Sequence, residues 1–261
     1  MENQPKQIYK EDFADYLLCL ALDVGEGMLR NGGEIRRVED TIERICIAYG
    51  AVHVEVFTII SVINAAIRMP DGSYSSQLRR VKSTSTNLTT LESLNALSRE
   101  ICRTKPALEV FDEKIHELKK FRPYPIALVT LASAVTVGAF TLFFGGSFVE
   151  ALVAMLIGAF LSIIDNLPTR RLNFMAKTVL SSFMAALVAM VSVKLGIGEN
   201  PDAIIIGALM LLVPGLAFGT ALRDLLFGDL LAGTLKTLQA CLAALMIAFG
   251  YMLAALLMGG V

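Results

Sequence analysis

Histidine is nearly absent from this chain of 261 residues; there are two, His53 and His116. Neither has neighbours at metal-ligand spacing, which argues against a zinc site. Cysteine is sparse too. Cys19, Cys46, Cys102 and Cys241 stand far apart with no CxxC among them. That excludes a small disulfide-stapled fold and reads as reduced thiols in a cytoplasmic or membrane setting. No GxSxG, Walker A or GxGxxG occurs, so neither an α/β-hydrolase nor a nucleotide-driven pump is supported. Nothing in these patterns calls for a metal or a cofactor. Met1–Lys10 lacks an apolar core, so no signal peptide directs the first residues outward. A net charge of −1 argues against a nucleic-acid partner.

The scarcity that matters most is local. On either side of Pro123, residues 1–123 hold 17 Lys/Arg and 18 Asp/Glu, whereas residues 124–261 hold 6 of each. The first part has the composition of a soluble domain. The second is apolar enough to require lipid around it. The expectation is an α-helical integral membrane protein of about five transmembrane helices, residues 123–261, with an N-terminal cytoplasmic α+β domain, residues 1–122. The spans fall at about 124–144, 148–164, 174–193, 203–219 and 230–258. A run of about 20 apolar residues at 1.5 Å each crosses a core of about 30 Å.

Basic residues in short loops set the orientation. Lys119, Lys120 and Arg122 precede span one, Arg170 and Arg171 follow span two, and Arg223 follows span four. With five spans these fall on one side, and only Lys194 falls on the other. The reading is an inner-membrane protein, multi-pass, with a cytoplasmic N-terminus.

Within residues 1–122, Asp12–Leu29 shows an apolar stripe at Phe13, Tyr16, Leu17, Leu20, Ala21, Val24 and Met28, the period of an amphipathic helix. Asn31-Gly32-Gly33 breaks it. Glu34–Tyr49 is a second helix, and Gly50 suits its C-terminal stop. Ala51–Phe57 alternates as a strand, Thr58–Arg68 is a second β-rich run, and Met69–Ser73 is a turn into Tyr74–Val81. Asn87–Cys102 and Ala107–Lys120 are two further helices, with Ser83–Thr86 a polar linker before them.

The strongest chemical signal is Leu211–Gly233, LLVPGLAFGTALRDLLFGDLLAG. Pro214 removes a backbone donor inside a span, so the helix must bend or break. Freed backbone groups in lipid are tolerated where they are buried or line a cavity. A half-helix N-terminus there suits a carboxylate. Gly215 and Gly219 form a GxxxG pair that permits close helix contact. Arg223 could fork onto a substrate carboxylate, and Asp224 and Asp229 could pair with it or carry protons. The alternative is a packing kink followed by an interfacial charge cluster. Lys177 and Lys236 read as snorkelling lysines, and Glu150 as an interfacial acid. In the soluble part, Gly32 and Gly33 precede Glu34 and Arg37, which with Asp40 and Arg44 lie on one polar face. That face reads as solvated i,i+3 and i,i+4 pairs, or as a site at the helix N-terminus.

Two passages carry a family resemblance. NGGEIRRVEDTIERICIAYG (Asn31–Gly50) and Leu211–Gly233 resemble the opening motif and the LVPG signature of the bacterial threonine/serine exporter family. The order of a soluble domain followed by five spans is also similar. Full-length members carry a second block of spans. This chain stops at Val261, so it resembles the larger component of the split version, which works with a separate small membrane subunit. One such pair is associated with succinate export. The resemblance implies efflux of a small amino acid or a dicarboxylate, driven by the proton gradient, by a non-enzymatic protein. Gly33, Glu34, Pro214, Gly215, Arg223 and Asp224 are the positions it carries over. The expected partners are the bilayer, a small carboxylate substrate, the small subunit and further copies in an oligomer. The competing expectation is a membrane-anchored enzyme or regulator acting through residues 1–120.

Overall fold

A computed structural model describes residues 13–82, 85–119, 124–166 and 174–259. Met1–Lys10, Ser83 and Thr84 of the polar linker, and the basic residues Lys120, Arg122, Arg170 and Arg171 lie outside the described residues, as does the side chain of Lys119. The chain divides into two compact units. Unit 1 is Met1–Arg122 with Leu216–Leu238, and unit 2 is Pro123–Gly215 with Gln239–Val261. The division differs from a single cut at residue 123. Leu216–Leu238 groups with the N-terminal elements, and Ala232 is buried in their core.

In unit 1, α1 (Phe13–Arg30) and α2 (Ile35–Ala48) precede an antiparallel meander of β1 (His53–Ile59), β2 (Val62–Arg68) and β3 (Tyr74–Arg80), in that spatial order. α3 (Leu88–Thr104) and α4 (Leu108–Lys119) complete it. The register aligns Phe57 with Asn64 and Asn64 with Leu78. α1 packs against α2, α3, α4 and two strands. Its burial therefore exceeds the single stripe expected. Leu18 and Leu22 are buried along with Leu17 and Met28, whereas Phe13 is exposed. A periodicity reading assumes one covered face; a central helix is covered on most sides.

The β-rich run Thr58–Arg68 is divided rather than continuous. Thr58 and Ile59 finish β1, and Ile60-Ser61 turns the chain, since Ile59 pairs with Val62. The two turn residues include no Gly, Pro, Asn or Asp, and Ser61 alone is a weak turn signal. The next turn has a stronger one. Asp71 accepts the Ser73 N–H at 2.9 Å and the Ser73 hydroxyl at 2.7 Å, while Gly72 sits at φ +88°. Asn87 caps α3 by accepting the Thr90 N–H at 3.0 Å. All four cysteines are free, and burial pushes the Cys46 thiol up to about 12, which leaves it an inert core side chain.

Unit 2 contains α5 (Ile126–Phe143), α6 (Phe148–Asn166), α7 (Phe174–Lys194), α8 (Pro201–Met210) and the greater part of α10 (Leu230–Leu257). α9 (Gly215–Leu226) lies between α8 and α10 in the chain. α5, α6, α7 and α10 are long and apolar enough to cross a membrane; the bent pair α8 plus α9 makes a fifth span if counted as one. The break, Leu211–Pro214, falls at the proline. The unit 2 core is rich in alanine, with Ala154, Ala185, Ala186, Ala189 and Ala208 packed among larger aliphatics such as Ile157, Leu161 and Ile204. Close approach is enforced at Gly250, where a Cβ would lie 2.4 Å from the Val179 carbonyl oxygen. The Ser182 hydroxyl donates to the Ile247 carbonyl at 2.6 Å. Small residues with interhelical hydroxyl bonds are the packing mode of helices in lipid.

Glu150, at the start of α6, is buried among protein groups. It accepts the backbone N–H of Ser147 at 2.6 Å, of Glu199 at 2.9 Å and of Asn200 at 2.7 Å. It ties the start of α6 to the loop that opens α8. Lys177 reaches Asp165 at 2.7 Å, so its ammonium is held by a protein partner.

Candidate functional site

The site begins with two glycines. Asn31 donates through its side chain to the Gly27 carbonyl at 2.7 Å and closes α1. Gly32 follows at φ +92°, a conformation that side chains resist. A Cβ on Gly33 would lie 2.8 Å from the Met28 carbonyl oxygen. The chain thus reverses in three residues and starts α2 at Ile35. Glu34 occupies the N-cap in an extended conformation, φ −70° and ψ 142°, without a side-chain cap bond. The first N–H of α2 is therefore left to another acceptor.

That acceptor is Asp224. Its Oδ1 takes the Ile35 N–H at 3.3 Å and its Oδ2 takes the Lys236 Nζ at 2.6 Å. Asp224 is 2% exposed and the Lys236 side chain 14%. A carboxylate at a helix N-terminus is favoured by the free N–H groups and the helix dipole, and the lysine neutralises it where water is excluded. Beside it, the Arg223 guanidinium donates to Glu34 Oε1, and the Arg36 guanidinium lies 5.7 Å from the centre of the Phe227 ring. The corner between α9 and α10 is tight. The Asp229 N–H donates to the Asp224 carbonyl at 2.9 Å, with Gly228 at φ +95°. Asp229 Oδ2 is buried with no hydrogen-bond partner among the described residues. On the next turn of α2, Glu39 accepts the Thr58 N–H at 2.7 Å. Burial pushes the Glu39 carboxyl above its ordinary range, the Asp229 charge adds to this, and the Thr58 bond offsets part of it.

Of the residues singled out in the sequence, Gly32, Gly33, Glu34, Arg223, Asp224 and Asp229 come together in unit 1. Both motifs thus build one site, although 189 residues separate Glu34 from Arg223. Arg37 stands exposed on α2, and Arg44 pairs locally with Asp40 at 2.8 Å. Pro214 lies in the break, and Gly215 begins α9. Among the described residues nothing lies within 4 Å of a Cβ built at Gly215 or Gly219, so this GxxxG pair makes no close contact within the chain. Sequence reasoning missed Lys236 as a partner of Asp224, and missed Arg36, Glu39 and Phe227 altogether. Glu39 and Arg36 were visible inside the RRVED string; no local pattern marked Lys236.

Fold and site define a multi-span membrane protein whose broken helix leads into a buried, ion-paired corner. The profile of a family described as "putative threonine/serine exporter" matches residues 19–258. The chain belongs to this family. It is 26% identical over 222 residues to a protein of Mycobacterium tuberculosis (strain ATCC 25618 / H37Rv) named as a probable threonine/serine exporter. The aligned part is 82% of this chain and 41% of that protein, so the chain spans less than half the length of that relative. No solved structure matches.

Proposed function

We propose that this chain is one component of a secondary exporter that moves a small amino acid, threonine or serine, or a dicarboxylate such as succinate, out of the cell. The observation that carries the reading is the run from a broken membrane helix directly into the α9–α10 corner, where Arg223 and Asp224 engage the N-terminus of α2. A discontinuous span is the usual means of exposing backbone polar groups to a small solute. Glu34, Arg223, Asp224 and Asp229 serve this path as its charged groups, and Pro214, Gly215 and Gly219 as its flexible backbone. Gly32 and Gly33 shape the α2 end, and Arg37 offers a nearby exposed cation. The reading is supported by the resident Asp224 carboxylate, which is held at this end by a helix N–H and an ammonium.

The proposal extends to proton coupling, a cytoplasmic N-terminus in a bacterial inner membrane, and action with a separate small membrane subunit in an oligomer; the role is transport and not catalysis. The test is efflux from proteoliposomes loaded with labelled threonine, serine or succinate under an imposed pH gradient. It is run with the chain alone and with the small subunit. Efflux that requires both chains and is lost in Arg223→Ala, with folding retained, is the expected result. Efflux unchanged by Arg223→Ala removes that residue from the mechanism, and no efflux in any arrangement sinks the exporter reading.

A second reading rests on a cleft of about 310 Å³ in unit 1, lined by Asp23, Glu26, Arg30, Asn31, Ser85 and Thr90. Its mixed charges fit a zwitterionic metabolite, which would make unit 1 a sensor. Calorimetric titration of the full chain with serine and threonine, compared with Arg30→Ala, tests it; the absence of heat in both sinks it.

A further inference from the structure

Residues 216–238 have their polarity inside out. In a helix lying on a soluble domain, charged groups face water and leucines face the core. Here Asp224 and Lys236 are turned inward, onto α2 and each other, and Ala221 and Ala232 are the buried apolar side chains. The large apolar side chains point away. Leu216, Leu222, Leu226, Phe227, Leu230 and Leu231 are all exposed, Leu226 by 78%. The N-terminal elements of unit 1, in contrast, bury most of their large aliphatics. A soluble surface rarely leaves so many large apolar groups contiguous.

The occupant of this face is indicated by α10. It is one unbroken helix from Leu230 to Leu257 and a candidate membrane span. Along it, Leu231, Leu235, Leu238, Leu245, Met252 and Leu256 are exposed at spacings of three, four or seven residues. They form one stripe without an interruption at residue 238. The stripe that a membrane-spanning α10 presents to acyl chains continues along the same helix to the α9–α10 corner.

We propose that the α9–α10 corner is immersed in the acyl region of the bilayer, so that unit 1 has a lipid-facing surface of its own instead of being joined to the membrane only through its linkers. Arg223, 58% exposed, and Arg36 stand at the rim, where guanidinium groups reach headgroups while their stems stay in apolar surroundings. The inference does not depend on what is transported. It goes beyond the reading of Arg223, Asp224 and Asp229 as an interfacial charge cluster after span four.

The chain contains no tryptophan, so single-tryptophan variants report without background. Leu226→Trp and Leu222→Trp are placed on the corner, and Tyr74→Trp on the exposed face of the sheet. The full-length variants are reconstituted in phosphatidylcholine vesicles with or without brominated acyl chains. The expected result is loss of emission with brominated lipid and insensitivity to iodide for both corner variants, and the reverse for Tyr74→Trp. Quenching of the corner variants by iodide overturns the proposal in favour of a solvated face. Protection from both quenchers overturns it in favour of a protein covering, a second copy or another chain. Two corner positions guard against one variant failing to fold, which circular dichroism detects. Unaltered efflux with iodide quenching would separate failure of this inference from failure of the exporter reading.

Discussion

Unit 1 and unit 2 differ in how much of the core is small and in what they turn outward. The N-terminal elements of unit 1 enclose Leu17, Leu18, Leu22, Met28, Ile42 and Phe111, and leave charges outside. Unit 2 encloses Ala154, Ala186, Ala189 and Ser182 beside Ile157, Leu161 and Ile204, and turns Phe143, Phe148 and Leu156 outward. The difference follows from the solvent. Water drives large apolar groups inward. Lipid gives no such drive, so helices associate through close contact of small residues and through hydroxyl bonds. The α9–α10 corner is the place where the two rules meet in one stretch of chain, with ions inside and leucines outside.

The largest expected effect is at that corner. Lys236→Ala leaves Asp224 buried and uncompensated, which costs about 3–5 kcal/mol. Adding Asp224→Asn to Lys236→Met recovers much of this, as unfolding in detergent would show. A Lys236→Ala protein as stable as the parent would mean that water reaches the pair and that the corner follows neither rule.

The comparison is tested directly by one deletion in each unit. Leu22→Ala in the core of unit 1 costs about 2–5 kcal/mol, whereas Leu156→Ala on the outer face of α6 leaves stability nearly unchanged in a bilayer. Equal losses from both would show that Leu156 is covered by protein. Next in size is Gly250→Ala. The added methyl must displace the Val179 backbone and costs about 1–3 kcal/mol, while Gly219→Ala, with open space around it, costs nothing. If the two glycine variants melt alike, small-residue packing is not what holds α7 to α10.

The smallest effect concerns Glu39. Its carboxyl is raised in the folded protein, so between the ordinary value and the raised one the folded state binds more protons than the unfolded state. Stability therefore falls as pH rises through that window, and the cost stays in place above it. Glu39→Gln keeps an oxygen for the Thr58 N–H and removes this slope. Melting temperatures followed against pH should be flatter for the variant; identical slopes would show that Glu39 is freely hydrated.

Much of the architecture was legible because it depends on local pattern. Four of the apolar runs correspond to α5, α6, α7 and α10, and the remaining one, 203–219, covers α8 and only the start of α9. Pro214 marked the break, and Gly32-Gly33 marked the end of α1. Two things were misread for want of local signal. The Ile60-Ser61 turn has only Ser61, a weak marker, to announce it, and α1 carries apolar residues around most of its circumference because it is central. The partners of Glu150 had no local signal either, since nothing in its neighbourhood reveals that the N–H groups of Glu199 and Asn200 converge on it.

By itself, then, the order of residues determined which stretches are apolar enough to cross a membrane, where most helices fall, and that two separate strings carry charge and glycine in unusual density. Those properties come from periodicity, backbone permissiveness and transfer to an apolar solvent, all of which act within a few turns. Only the tertiary structure decided that the two strings form one site, that Asp224 sits on the first N–H of α2, and that Lys236 is its counter-ion and not a snorkelling lysine. A buried ion pair is selected by the three-dimensional exclusion of water around it, and no spacing along the chain encodes that.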